Sequence, residues 1–140
     1  MKSIMETRNE ARRLHSCELF KGTEDEDELT SLFLSPQGQE FCIKNNFPDV
    51  NTFADIFPNA AKHGIYIDAG NVELENEAVA ALIGNSHGVL NYSDPSKSHE
   101  VILMHGATAD ICAEGYAVVF VTAGEGCIVT KTARDNSLIL

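Results

Sequence analysis

Tryptophan is absent from this 140-residue chain and tyrosine occurs only three times, so a platform for stacking sugars is poorly supplied. Basic residues are scarce as well. Ten Lys and Arg face twenty-one Asp and Glu, for a formal net charge of −11. Such a chain is repelled by nucleic-acid phosphates and by anionic membranes. The sole basic cluster, Arg8, Arg12 and Arg13, reads as the solvated face of a helix. No stretch approaches the roughly 20 apolar residues of a membrane span. The opening residues, Met1 to Thr7, lack the apolar core of a signal peptide, which makes the cytoplasm the expected compartment. The four cysteines, Cys17, Cys42, Cys112 and Cys127, form no CxxC pair and read as free thiols used as small hydrophobes. What the chain does have is apolar material: 44% of its residues are hydrophobic, enough for a packed core.

Two halves follow different periods. Residues 1–63 read as helical. Thr7-Arg-Asn-Glu10 has the pattern of a capping box, and Ala11, Leu14, Cys17 (or Glu18) and Leu19 then fall near one side of a helix that Gly22 ends. The acidic run Glu24 to Glu28 suits the first turn of a second helix carrying Leu29, Leu32, Phe33 and Leu34. Ser35-Pro36 places an N-cap before a proline at N1, opening a third helix with Phe41, Cys42 and Phe47 that ends at Pro48. A last turn or two is expected between Asp49 and Phe57, before Pro58.

From Gly64 onward proline occurs once, at Pro95, and short runs of strand formers alternate with Gly, Asn and Asp. Apolar residues recur nine apart at Ile65, Leu74, Ile83, Tyr92 and Val101, and one residue out of phase at Ile102, Ile111, Phe120, Val129 and Leu138. Gly70, Gly88, Gly106, Gly115 and Gly124 lie on the same lattice. The expected fold class is α+β: a helical segment over 1–63 that caps a parallel β-helix, or β-solenoid, over 64–140. Its repeat is roughly nine residues, with two strands to a coil and about four coils. Ala109, Val118 and Cys127 are expected to form a second inward column, and Asp94 to His99 a loop at the phase slip.

Motifs with chemistry are few. Gly106 to Asp110 and Gly124 to Gly126 do not repeat the Gly and Asp set of a calcium-binding β-roll. Apolar residues six apart, as in a hexapeptide acyltransferase, are interrupted by Pro95. His15 and Cys17 point different ways on a helix, so no zinc site is assigned. There is no GxSxG elbow, P-loop or GxGxxG. Ser86-His87 and Ser98-His99 read as surface polar pairs, and Asp110 and Glu114 as a pair that no second unit repeats. No catalytic residue, cofactor or metal follows from the sequence.

Thr7 to Cys17, Leu34-Ser-Pro-Gln-Gly38, Phe41 to Pro48, Gly64 to Gly70 and Val101 to Ala107 resemble blocks of a family of small uncharacterised proteins from gut anaerobes. The resemblance covers nearly the whole chain and implies a cytoplasmic bacterial protein with a helical start and a β-solenoid end. It carries no catalytic residues to transfer. The solenoid is also similar in architecture to the polymerising β-helices of bactofilin type.

A solenoid end exposes strand edges and core unless something covers it. The helices are expected to cover one end. The other, Ser137-Leu-Ile-Leu140, has no polar cap after it, so Leu138, Ile139 and Leu140 are the expected self-association residues of a homo-oligomeric, non-enzymatic scaffold or interaction module. The alternative is an enzyme or small-molecule-binding protein, with its site at the helix–solenoid junction or the 94–99 loop and His87, His99 and His105 for acid–base work. A protein partner docking on the acidic run 24–28 is a third expectation.

Overall fold

The computed structural model describes residues 4–13 and 24–140, which fall into two compact units, 1–63 and 64–140. In the first, α1 spans Ile4–Arg13, α2 Glu26–Leu34, α3 Pro36–Asn45 and α4 Val50–Ile56, followed by a 3₁₀ turn over Ala60–His63. The capping box expected at Thr7 does not form an N-terminus: α1 has begun by Ile4, and Thr7 is buried within it. Four residues of capping pattern are too short a signal to separate a helix start from a helix interior. Leu14, Cys17, Leu19 and Gly22 lie outside the described residues.

The other helix starts form where the sequence places them. Asp25 caps α2, its carboxylate accepting from Glu28 N at 2.8 Å while Asp25 N donates to the Glu28 carboxylate at 3.4 Å. Ser35 caps α3 by accepting from Gly38 N at 3.1 Å, with Pro36 at N1. Asp49 caps α4, accepting from Thr52 N at 2.7 Å. Phe33, Phe53 and Phe57 close the core between these helices, Phe33 and Phe53 edge to face at 5.2 Å. Cys42 is buried beside them, and burial pushes its thiol up to about 12. Cys112 is exposed. Iodoacetamide at pH 8 is therefore expected to label Cys112 in the native protein and to spare Cys42 until denaturant is added, as read by peptide mass mapping.

The second unit is a β-solenoid of about four coils with two strands to a coil. Strands β1 (Ile65–Ile67), β3 (Val79–Ile83), β5 (Ser98–Met104), β7 (Val118–Ala123) and β9 (Leu138–Ile139) stack in parallel as one sheet. Strands β2 (Gly70–Glu75), β4 (Ser86–Tyr92), β6 (Thr108–Ala113) and β8 (Ile128–Ala133) stack as the other. Register shows how the repeat runs. Ile65 lies beside Ala81, Val79 beside Glu100, Ser98 beside Val118 and Val118 beside Leu138. Coils therefore advance by 16, then 21, then 20 and 20 residues. Roughly nine per strand is the average of a period that widens from eight to ten.

That widening corrects the individual ladders. Ile65, Leu74, Ile83, Tyr92 and Val101 alternate between sheets and do not stack. In the second ladder, Phe120 and Leu138 are 45% and 51% exposed, and Ile111 lies beside Lys131 rather than Val129. Ala109 stacks on Val129 and not on Val118, which belongs to the other sheet. The inward columns are Leu74–Leu90–Ile111–Lys131, Ala80–Val101–Val121 and Tyr66–Leu82–Leu103–Ala123. Small residues return every ten positions in the last coils: Ala107, Ala117, Cys127 and Ser137 before the strands, and Ala113, Ala123 and Ala133 at the ends of β6, β7 and β8. Gly88 faces inward, where an added Cβ would lie 2.6 Å from Leu82 Cδ1.

Candidate functional site

Strand alternation divides the solenoid's side chains between interior columns and two outer faces, and any site must use one of these surfaces. On the outer face of the second sheet, His87 of β4 lies beside Thr108 of β6, and Asp110 follows two residues on. His87 Nδ1 is 2.6 Å from Thr108 Oγ1, and His87 Nε2 is 3.4 Å from Asp110 Oδ2. A hydroxyl, an imidazole and a carboxylate thus lie in line. The imidazole can accept from the threonine while donating toward the aspartate. The face is open, however, with the His87 and Asp110 side chains 39% and 52% exposed. A hydroxyl nucleophile needs a dry setting with converging donors, and a flat strand surface supplies neither. The three residues form a cross-strand polar ladder. At the end of the same sheet a shallow groove of about 400 Å³ mixes Glu75, Glu114, Arg134 and the Cys112 thiol.

The three histidines named for acid–base work occupy three different settings. His87 is on the outer face just described. His105 precedes Gly106 in a turn, in the left-handed region at φ 57°. His99 is not a surface residue of the loop but part of β5, and it is fully buried. Its Nδ1 is 2.9 Å from Glu77 O and its Nε2 3.1 Å from Asp94 O, with its ring 4.6 Å from that of Tyr92. Both partners are carbonyl oxygens, so whichever ring nitrogen carries the hydrogen has an acceptor in place. Ser86 is likewise buried. Its hydroxyl accepts from Ala69 N and lies 3.1 Å from both Tyr66 O and Ile83 O. Period-two alternation correctly puts adjacent Ser and His on opposite faces, but it does not say which face is covered.

The 94–99 segment owes its shape to internal bonds. The Asp94 carboxylate accepts from Ser96 Oγ at 2.6 Å and Ser96 N at 2.8 Å, and these bonds hold its carboxyl below the usual range. Asn76 Oδ1 accepts from Ser93 N and Asp94 N. Nearby, the buried Tyr92 hydroxyl has no hydrogen-bond partner among the described residues. Burial, with the Glu77 carboxylate adding to it, holds that phenol above its ordinary range.

The acidic run is also in use within its own unit. Asp25 and Glu28 cap α2, and Glu26 accepts from Asn59 N at 2.7 Å and Asn59 Nδ2 at 3.0 Å. His63 lies 3.5 Å from Asp27. Among the described residues no three His, Cys, Asp or Glu are arranged to hold a metal ion, and no helix is long and apolar enough to cross a membrane.

What stands out is apolar. On the outer face of the first sheet, Ile65, Ala81, Ile83, Ile102 and Met104 are buried, whereas the last strands present Phe120, Leu138 and Leu140 at 45%, 51% and 55% exposure. Register sets Leu138 beside Val118, and Val121 N donates to Leu140 O at 2.9 Å, so the three side chains share one patch with Val118. Of the residues expected to self-associate, Leu138 and Leu140 point outward from the sheet. Ile139 points inward and packs half-buried against the core. Phe120 and Lys131 were missed, because a nine-residue lattice puts Phe120 in an interior column and gives Lys131 no column at all. A search at ten, following Ala113, Ala123 and Ala133, finds both. The chain matches no protein-family description, no curated protein and no solved structure.

Proposed function

We propose that this chain is a non-enzymatic interaction module that self-associates through the outer face of its last coil. The observation that carries this reading is the cluster Phe120, Leu138 and Leu140, three large apolar side chains about half exposed on one sheet face. The same patch on two copies makes a closed two-fold contact. Three side chains a copy make a small contact, and the cost of association leaves little surplus, so the dimer is weak and is to be sought at about 10 µM to 1 mM chain. The net charge of −11 opposes it, so added salt should strengthen it. The free thiols Cys42, Cys112 and Cys127 suit a reducing, cytoplasmic setting.

Sedimentation velocity across that concentration range is expected to show a shift from one-chain to two-chain mass, larger at 0.5 M than at 0.05 M salt. The double variant Phe120→Glu/Leu138→Glu should stay at one-chain mass throughout. A wild-type chain that remains monomeric at every concentration and matches the double variant would overturn the proposal.

A further inference from the structure

We infer that the Asp94–Pro95 peptide bond is a self-cleavage site, cut by the Asp94 carboxylate while the buried His99 ring holds the bond's carbonyl oxygen. The bond lies in the segment joining β4 to β5, where Pro95, Ser96 and Lys97 are exposed and water has access. Three features meet on it. His99 Nε2 is 3.1 Å from Asp94 O, the carbonyl oxygen of this bond. The ring is fully buried and stands 4.6 Å from that of Tyr92, so it is fixed in place before any reaction. The tautomer with hydrogen on Nε2, or the imidazolium, supplies a donor there, at a separation suited to a developing oxyanion. Ser96 N and Ser96 Oγ both donate to Asp94 Oδ1, at 2.8 and 2.6 Å, which leaves Oδ2 for the attack. Those bonds, with Lys97 and His99 adding to them, hold the carboxyl below its usual range and so keep it ionised in mild acid. Tyr92 on β4 and the Glu77 carboxylate, which acts on that phenol, stand on the far side of the ring. The leaving nitrogen belongs to a proline and carries no hydrogen. It cannot close on the Asp94 side chain, so attack by the carboxylate on its own carbonyl is the intramolecular route that remains.

In the reaction Asp94 Oδ2 bonds to the Asp94 carbonyl carbon, and the negative charge passes to the carbonyl oxygen, where the His99 N–H meets it. As the carbonyl re-forms, the bond to Pro95 N breaks and that nitrogen takes a proton from water. The cyclic anhydride left on Asp94 is opened by one water molecule, giving two carboxyl groups on Asp94 and a free proline N-terminus at Pro95. The sum is hydrolysis, with water as the only co-reactant. The nucleophile is tethered to its target, which removes the entropic cost of a second molecule. Strand β4 is paired with β2 and β6, and β5 with β3 and β7, so the pieces 1–94 and 95–140 stay together after the cut.

The full-length chain held at pH 5 and 37 °C is expected to yield 1–94 and 95–140 by denaturing mass spectrometry, about tenfold faster folded than in 6 M guanidinium chloride at the same pH. Asp94→Asn keeps an acceptor for Ser96 but lacks the carboxylate, and Pro95→Ala restores an ordinary amide. Both changes lie in the partly exposed segment outside the core, and both chains should stay whole. A His99→Leu chain shown by circular dichroism to be folded should be cut about 100-fold more slowly. A wild-type chain that stays whole, or that is cut no faster folded than denatured, overturns the inference. Cutting at the wild-type rate in Asp94→Asn or in folded His99→Leu overturns it equally.

Discussion

Replacing His99 by leucine is expected to lower the unfolding free energy of the solenoid by about 3 kcal/mol. Leucine comes near enough in volume that the cavity term is small. The loss comes from the carbonyl to which the ring donates, Glu77 O at 2.9 Å or Asp94 O at 3.1 Å according to the tautomer. A buried carbonyl stripped of its partner costs about 1–3 kcal/mol. The Asp94 carbonyl lies in an exposed loop and recovers part of that from water. The Tyr92 ring, 4.6 Å away, also loses its neighbour. Urea titration measures the total. Hydrogen exchange tells where it arises: amides of residues 93–97 and of the turn around Glu77 should exchange faster, while those of β6 and β7 hold. An unchanged exchange pattern would mean that the ring fills space and fastens nothing.

The second large effect belongs to the helical unit and runs against propensity. Alanine in place of a helical glycine ordinarily gains about 1 kcal/mol. At Gly38 it should instead cost about 2–4 kcal/mol. A Cβ there would lie 2.0 Å from Leu32 O and 2.9 Å from Phe33 O, both backbone atoms of α2 that cannot rotate aside. Leu32 O is also the acceptor for the Ser35 hydroxyl at 2.6 Å, so relieving the clash opens the joint between α2 and α3 at its cap. Denaturant titration of Gly38→Ala gives the sign directly. A variant more stable than wild type would show that the two helices meet less closely than the backbone geometry requires.

The ease with which each feature could be read from the sequence follows the range of the forces behind it. Helix starts at Asp25, Ser35 and Asp49 are legible because each cap stands beside a second mark, an acidic first turn, Pro36 at N1 or Pro48 just before it, which Thr7 does not have. The solenoid is legible because stacking requires repetition. Its period is less so, since 16- and 20-residue coils lie either side of a 21-residue advance that contains Pro95, and a fixed lattice averages across them. That average turned Phe120 inward and hid Lys131. The burial of His99 was hidden for another reason. The carbonyls that hold it come from Asp94, five residues back, and from Glu77 on the neighbouring coil, and no local pattern marks a carbonyl as waiting for a donor.

The unequal coils also bear on how such a chain can lengthen. Stability in a stacked array is a sum over neighbours, so a duplicated coil persists only if its side chains fall in line with those above and below. From β5 onward successive coils keep an advance of 20 residues, and a copied twenty-residue segment would inherit matching alanines and valines on both sides. The opening step of sixteen residues has no coil of equal length beside it, so a copy of it would meet a neighbour of a different advance. Duplication is thereby favoured among the twenty-residue coils, those that carry Phe120, Lys131 and Leu138.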